Sequence, residues 1–206
     1  WDAGIPPVKR DGVVSGGKVK ACIYCDASTI DFCAQMVLQM VEELLVVHPK
    51  LEMTLMSAKS WANKDRQTMV QIKSRHRERL TIRKVSTFDN LNRTFHAHDW
   101  VVVPGVRADF AITASRALAC GAAVIAHDVP PYSEVVQQSS GLLVPCEIRT
   151  GAMKAPIAVP TMGNWLETCQ KAFSDSKIVR GLQVRDWNLQ ESHRAFNGVW
   201  TKAWER

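Results

Sequence analysis

Cys22 and Cys25 frame the run Cys22-Ile23-Tyr24-Cys25, the spacing of a thiol pair that can cycle between dithiol and disulfide. Cys22 falls in an apolar run that reads as a strand, where an offset of three turns two side chains to opposite faces. That geometry favours buried structural thiols; the alternative is a redox site at a strand-to-helix turn that Cys25 just reaches. His96 and His98 stand two apart, so on a helix they share no face, and with no third ligand nearby no metal site is expected. Lys73-Ser74-Arg75-His76-Arg77-Glu78-Arg79 is the densest basic run and has the chemistry to neutralise phosphates. It sits where a helix ends, a place that favours solvated cations, and no zinc, RRM or helix-turn-helix signature accompanies it, so nucleic acid is not expected as a partner.

The chain that must position these groups has 206 residues, 46% of them apolar and 22% charged, with a formal charge of +6. These values describe a globular domain and exclude disordered and fibrous classes. One core is the default for this length. The longest apolar stretches, such as 117–126, fall short of the roughly 18 to 20 residues that span a bilayer, so no membrane span is expected. Six cysteines scattered through apolar segments suit a reducing compartment, read here as cytoplasmic. No leader precedes Gly4-Ile5-Pro6-Pro7, and Trp1 reads as a cut or processed start. Residues 1–17 read as a linker or N-terminal extension, and 18–206 as one domain.

Along that domain, apolar runs bounded by Gly, Pro and Asp, and an alternating run at 51–57, predict strands at 18–25, 51–57, 80–85, 100–103, 122–126 and 141–145. Between them helical spacing predicts helices at 30–47, 63–77, 89–96, 113–120 and 131–138, the fourth stopped by Gly121. Regular alternation specifies an α/β fold, a doubly wound, Rossmann-like parallel sheet covered on both faces, with 101–103 and 122–126 central because they are apolar throughout. Residues 146–163, rich in Gly and Pro, read as a long loop, followed by helical segments at 164–173 and from 176 to the end. A ligand of such a sheet lies outside the carboxyl ends of its strands, here 26–29, 86–89, 104–112 and 128–134.

The stretch from Val101 to Ala126, with its strand, Pro104-Gly105, small-residue helix, Gly121 and the run Ala122-Ala123-Val124-Ile125-Ala126, resembles the group-one, retaining glycosyltransferases of GT-B fold. Members read as an apolar strand, Pro-Ser, two residues, Glu-Gly-Phe-Gly, a few apolar residues, Glu-Ala and a small-residue helix ending in Gly, then Pro-Val-Ile-Ala. The likeness extends to Glu134-Val135-Val136, to Gly141-Leu142-Leu143-Val144, and upstream to His48-Pro49 and Ala97-His98-Asp99. It implies the C-terminal, donor-nucleotide half of such an enzyme, binding a UDP-, GDP- or ADP-sugar and transferring the sugar to an acceptor hydroxyl, without an obligatory metal or other cofactor. It also implies an N-terminal domain, or a partner chain, that holds the acceptor; the chain alone is expected to be inactive.

The resemblance brings departures too. The family's first strand–helix turn carries an Arg and a Lys for the diphosphate, whereas Cys25-Asp26-Ala27-Ser28-Thr29 has neither. Aligned on Cys120-Gly121, Ala108 stands where the sugar-side Glu belongs and Arg116 where the ribose-side Glu belongs. Asp109, one residue on, is the single catalytic candidate, against its alternative as a solvated turn former. Arg116 is donor-only, so it can face a phosphate, pair with Asp109 or lie on the surface, but cannot accept from ribose hydroxyls. Donor contacts are expected from Ser28, Thr29, Phe88, Gly105, Arg107, Ile112, Arg116 and Glu134, with Glu134 read first as a cap of its own helix. The second function reading is an inactive glycosyltransferase-like domain kept as a structural or interaction module.

Overall fold

The inner strands are mostly apolar at successive positions, and the pleat sends alternate side chains to opposite faces, so a sheet of such strands must be covered on both. The computed structural model describes residues 17–25, 34–57, 60–85, 87–106, 111–136, 141–150, 156–159 and 161–174. Six parallel strands, β1 (Val19–Tyr24), β2 (Leu51–Ser57), β3 (Leu80–Lys84), β4 (Trp100–Val103), β5 (Ala123–His127) and β6 (Gly141–Val144), form one sheet in the order β3-β2-β1-β4-β5-β6. The register pairs Val19 with Leu51 and Ala21 with Trp100. Asp99 fixes the second of these pairings: its carboxylate accepts from the Lys20 N–H at 2.8 Å, and its own N–H donates to the Lys20 carbonyl at 2.8 Å.

Ala21, Ile23, Trp100, Val102, Ala123 and Ile125 face one core, under α1 (Ala34–Val47), α2 (Asn63–Arg75) and α6 (Met162–Ser174). Cys22, Val101, Val103, Val124 and Ala126 face the other, under α3 (Phe88–His96), α4 (Ile112–Ala119) and α5 (Tyr132–Val135). This is the doubly wound α/β arrangement, and neither 101–103 nor 122–126 lies at an edge. The edge strand β3 exposes Thr81, Arg83 and Lys84, and charge of that kind discourages pairing with another sheet. α3 opens on Thr87, whose side chain accepts from the Asn90 N–H at 3.3 Å. α4 closes on Gly121 at φ +79°, with Ala122 N–H donating to Ala117 O and Gly121 N–H to Leu118 O, the paired bonds of a Schellman ending.

The expectation for residues 146–163 fails. Residues 146–163 are not a structureless loop: β7 (Glu147–Thr150) and β8 (Pro156–Val159) pair as an antiparallel hairpin, with Ile148 opposite Ala158. Pro156 is tolerated because it begins its strand, and each strand is too short to display the alternation that marks longer ones. α6 also starts two residues before its predicted beginning, and β5 runs one residue further, to His127. The expected linker at 1–17 (apart from Gly17) and the helical segment from 176 onward lie outside the described residues.

Candidate functional site

The sheet order sets the place. β1 is followed by β2 on one side while β4 lies on the other, so the crossovers leave in opposite directions and open a crevice beyond the carboxyl ends of β1 and β4. Cys25 closes the β1 end, its N–H donating to Met56 O at 2.9 Å. Past β4 the chain turns through Pro104 and Gly105, both buried, to Val106. Two neighbours grip this turn. His127 Nδ1 lies 3.0 Å from Gly105 O, and the Ala158 N–H donates to Val106 O at 3.0 Å, so the hairpin braces the loop.

His127 is fully buried and is held on its other side by α6, where the Trp165 Nε1–H donates to Nε2 at 2.9 Å. The two rings meet edge to face, with centroids 4.8 Å apart and planes at 82°. A carbonyl only accepts and an indole N–H only donates, so the imidazole is neutral with its proton on Nδ1. Burial pushes its pKa below the ordinary value of 6.5, and the Gly105 carbonyl offsets part of that.

α4 begins just after Ala111, which is buried and adopts φ +48°, ψ +29°, the left-handed region. With the Glu of Glu-Gly-Phe-Gly aligned on Ala108, the second glycine of that pattern falls on Ala111. The backbone shape that glycine permits is therefore present without the glycine.

Gly105 and Ile112 stand at the two ends of this β4–α4 connection, and Ile112 is 56% exposed. Arg116 is half-buried one turn further along α4, and its Nη1 donates to Asn92 Oδ1 on α3 at 3.5 Å. Phe88 is the first residue of α3. Glu134 is exposed on α5, where Pro131 occupies the capping position expected of Glu134. Ser28, Thr29, Arg107 and Asp109 lie outside the described residues.

The other chemistry-bearing groups are absorbed by structure. Cys22 and Cys25 are buried in different cores, and burial pushes the Cys22 thiol up, the reverse of what thiol exchange needs. His98 is buried between Thr94 O at 2.6 Å and Thr54 Oγ1 at 2.8 Å, and His96 Nδ1 lies 3.3 Å from Cys120 O. Among the described residues no three His, Cys, Asp or Glu side chains gather as metal ligands. In the basic run, Arg79 Nη1 donates to the α1 carbonyl of Leu45 at 2.7 Å and to that of His48 at 3.0 Å. Lys73 Nζ donates to the carbonyls of Arg77 and Leu80, and Arg75 pairs with Glu42 at 2.9 Å. Arg79 thus caps the end of α1, while Lys73 and Arg75 tie α2 to the turn before β3 and to α1.

His127 and the hairpin are absent from the residues singled out in the sequence. His127 carried one legible signal, an imidazole ending a run that is otherwise wholly apolar. Trp165 lies 38 positions away and no local pattern links the two.

Among the described residues no helix is long and apolar enough to cross a membrane. No curated protein matches the chain. Among solved structures, the C-terminal domain of a group 1 family glycosyl transferase from Francisella tularensis aligns over 82% of this chain and 81% of its own, with TM-score 0.59 and 15% identity. Sucrose-phosphate synthase from Thermosynechococcus elongatus aligns over 92% of this chain and 46% of its own, with TM-score 0.63 and 16% identity. The GtfA/B complex aligns over 92% and 37%, with TM-score 0.62 and 12% identity. The chain thus spans less than half the length of these last two, which share its fold. The model of the family "Glycosyl transferases group 1" matches residues 29–157, more than half of the sequence, and the chain belongs to that family.

Proposed function

We propose that the chain is the nucleotide-sugar-binding half of a retaining glycosyltransferase, with the donor diphosphate lying over the carboxyl ends of β1 and β4. The observation that carries this reading is the switch point itself, whose β4–α4 connection keeps a left-handed residue at Ala111 where the family pattern has glycine. The donor is a UDP-, GDP- or ADP-sugar. Its sugar–phosphate bond breaks, the acceptor oxygen bonds to the anomeric carbon on the same face, and the acceptor proton leaves with the nucleotide diphosphate. A second domain or chain holds the acceptor and closes the crevice, which excludes water. The cysteines in apolar cores accord with a cytoplasmic setting.

One observation favours the second reading, an inactive module: the side chain at the ribose-side Glu position is an arginine bonded to Asn92 on α3. Calorimetry with UDP and GDP at fixed salt separates the two. The active-half reading requires weak but saturable binding, because hydrogen bonds to charged groups contribute about 1.5 to 3 kcal/mol each and the first-turn cations are missing. Introducing Ser28→Lys together with Arg116→Glu should tighten it. No binding by either protein, both folded, would leave the module.

A further inference from the structure

The loop after β4 is fixed by its carbonyls. Gly105 O is held from β5 by His127, and Val106 O from β8 by Ala158. A trans peptide is planar, so fixing the Gly105 carbonyl fixes the whole Gly105–Val106 plane, including the Val106 N–H. The donor to that carbonyl is a side chain that could in principle carry its proton on either nitrogen. Trp165 removes the choice, because its indole can only donate, and it does so to Nε2. The bridge is buried, and His127 itself is 0% exposed, so no solvent molecule competes for either nitrogen.

We propose that His127 is a positioning residue, which sets the Gly105–Val106 peptide in the orientation that donor binding requires, while Trp165 selects the ring tautomer that can do so. The ligand part rests on the nucleotide reading above. The positioning part rests on the geometry alone, and the two are tested separately.

Two amides divide the roles of the ring. His127→Asn places an N–H close to where Nδ1 lies and keeps the bond to Gly105 O; His127→Gln reaches toward Nε2, can accept from Trp165, and leaves Gly105 O without its donor. Both lose the imidazole, so a role in packing alone predicts equal effects. Positioning predicts a split. Amide exchange at Ala158, which reports the grip on Val106, should stay near the native rate in H127N and accelerate about tenfold in H127Q, the effect of one lost hydrogen bond. UDP affinity, measured by calorimetry on the same proteins, should follow, within about threefold of native in the first and about tenfold weaker in the second.

A multiple-bond ¹H–¹⁵N spectrum of the native chain should show His127 as a single Nδ1–H tautomer. In W165F, which keeps an aromatic ring and loses only the donor, it should become a mixture with faster Ala158 exchange. That variant carries the test if H127Q fails to fold. Equal Ala158 exchange in H127N and H127Q, an unchanged tautomer and exchange rate in W165F, or an Nε2–H tautomer in the native chain would each overturn the proposal. If the native chain binds no UDP, the nucleotide reading fails, and the exchange and tautomer results still decide the positioning role.

Discussion

Gly141, the first residue of β6, lies so close to the backbone of Val124 in β5 that a Cβ there would overlap the Val124 carbonyl oxygen and come within 2.7 Å of Val136 Cγ1. Neither backbone oxygen nor strand can move without breaking the ladder. Gly141→Ala should cost about 2 kcal/mol or more in urea unfolding, the upper part of the overpacking range. Gly163, near the start of α6, meets nothing within 4 Å, so Gly163→Ala should be neutral or stabilising by up to ~1 kcal/mol. Equal effects at the two sites would contradict this account.

Ala111 is a residue with a side chain in a conformation that favours glycine. The left-handed region costs an L-residue about 1 to 2 kcal/mol, while a glycine there would give up the buried methyl, about 0.8 kcal/mol, and gain chain entropy when unfolded. These nearly cancel, so Ala111→Gly should shift stability by less than about 1 kcal/mol. Ala111→Val, which adds a branch at positive φ in a buried position, should destabilise by about 2 kcal/mol or more. Thermal unfolding of the two variants measures the contrast; a stable valine variant would mean that this turn is not held in the left-handed region.

What could be read from the sequence follows from how local each signal is. β2 and β4 match their predicted limits because Leu51–Ser57 alternates after the His48-Pro49 turn and Trp100–Val103 is an apolar run between Asp99 and Pro104, and Gly121 announces its helix end by itself. The pairing of Cys22 and Cys25 with different cores follows from strand period alone. The hairpin was hidden because its two strands have four residues each and are held by pairing with each other and with Val106, contacts no short window reveals. Ala111 was hidden because alanine does not advertise a positive φ. His127 and Trp165 were hidden because their relation exists only once α6 crosses back over the sheet.

Arg79 joins the end of α1 to the turn before β3 through Leu45 O, His48 O and His76 Nδ1. The guanidinium is half-buried, which discounts the gain from charge, so Arg79→Met should cost about 1 to 2 kcal/mol. Arg77, exposed on the same turn, should change stability by less than about 0.5 kcal/mol when replaced by Met. Urea unfolding of both distinguishes a structural basic run from a solvated one; if the two substitutions cost the same, the capping role assigned to Arg79 is wrong.

The last prediction concerns acid. His127 is pushed below its ordinary pKa of 6.5 by burial, His48 by burial as well, and His76 by burial and then by the neighbouring Arg79. Each is therefore neutral in the folded chain at a pH where the unfolded chain binds a proton. Because the unfolded state then holds more protons, stability is complete above about pH 6.5 and is lost as pH falls from there through each folded pKa. The slope approaches ~1.4 kcal/mol per pH unit for each histidine that stays fully neutral. Between pH 6.5 and 5 the paired carboxylate Glu52, held below its ordinary 4.5 first by the Lys18 hydrogen bond, stays ionised in the folded chain and adds only a small part of the slope, near pH 5. Urea unfolding at pH 7.5 and pH 5 should show the native chain weaker in acid. His127→Asn, which removes the most buried of the three titrations, should shrink that difference by about 1 kcal/mol or more, although it lowers stability at pH 7.5. An equal acid loss in the native and substituted chains would mean that His127 takes up its proton without leaving the Trp165 indole.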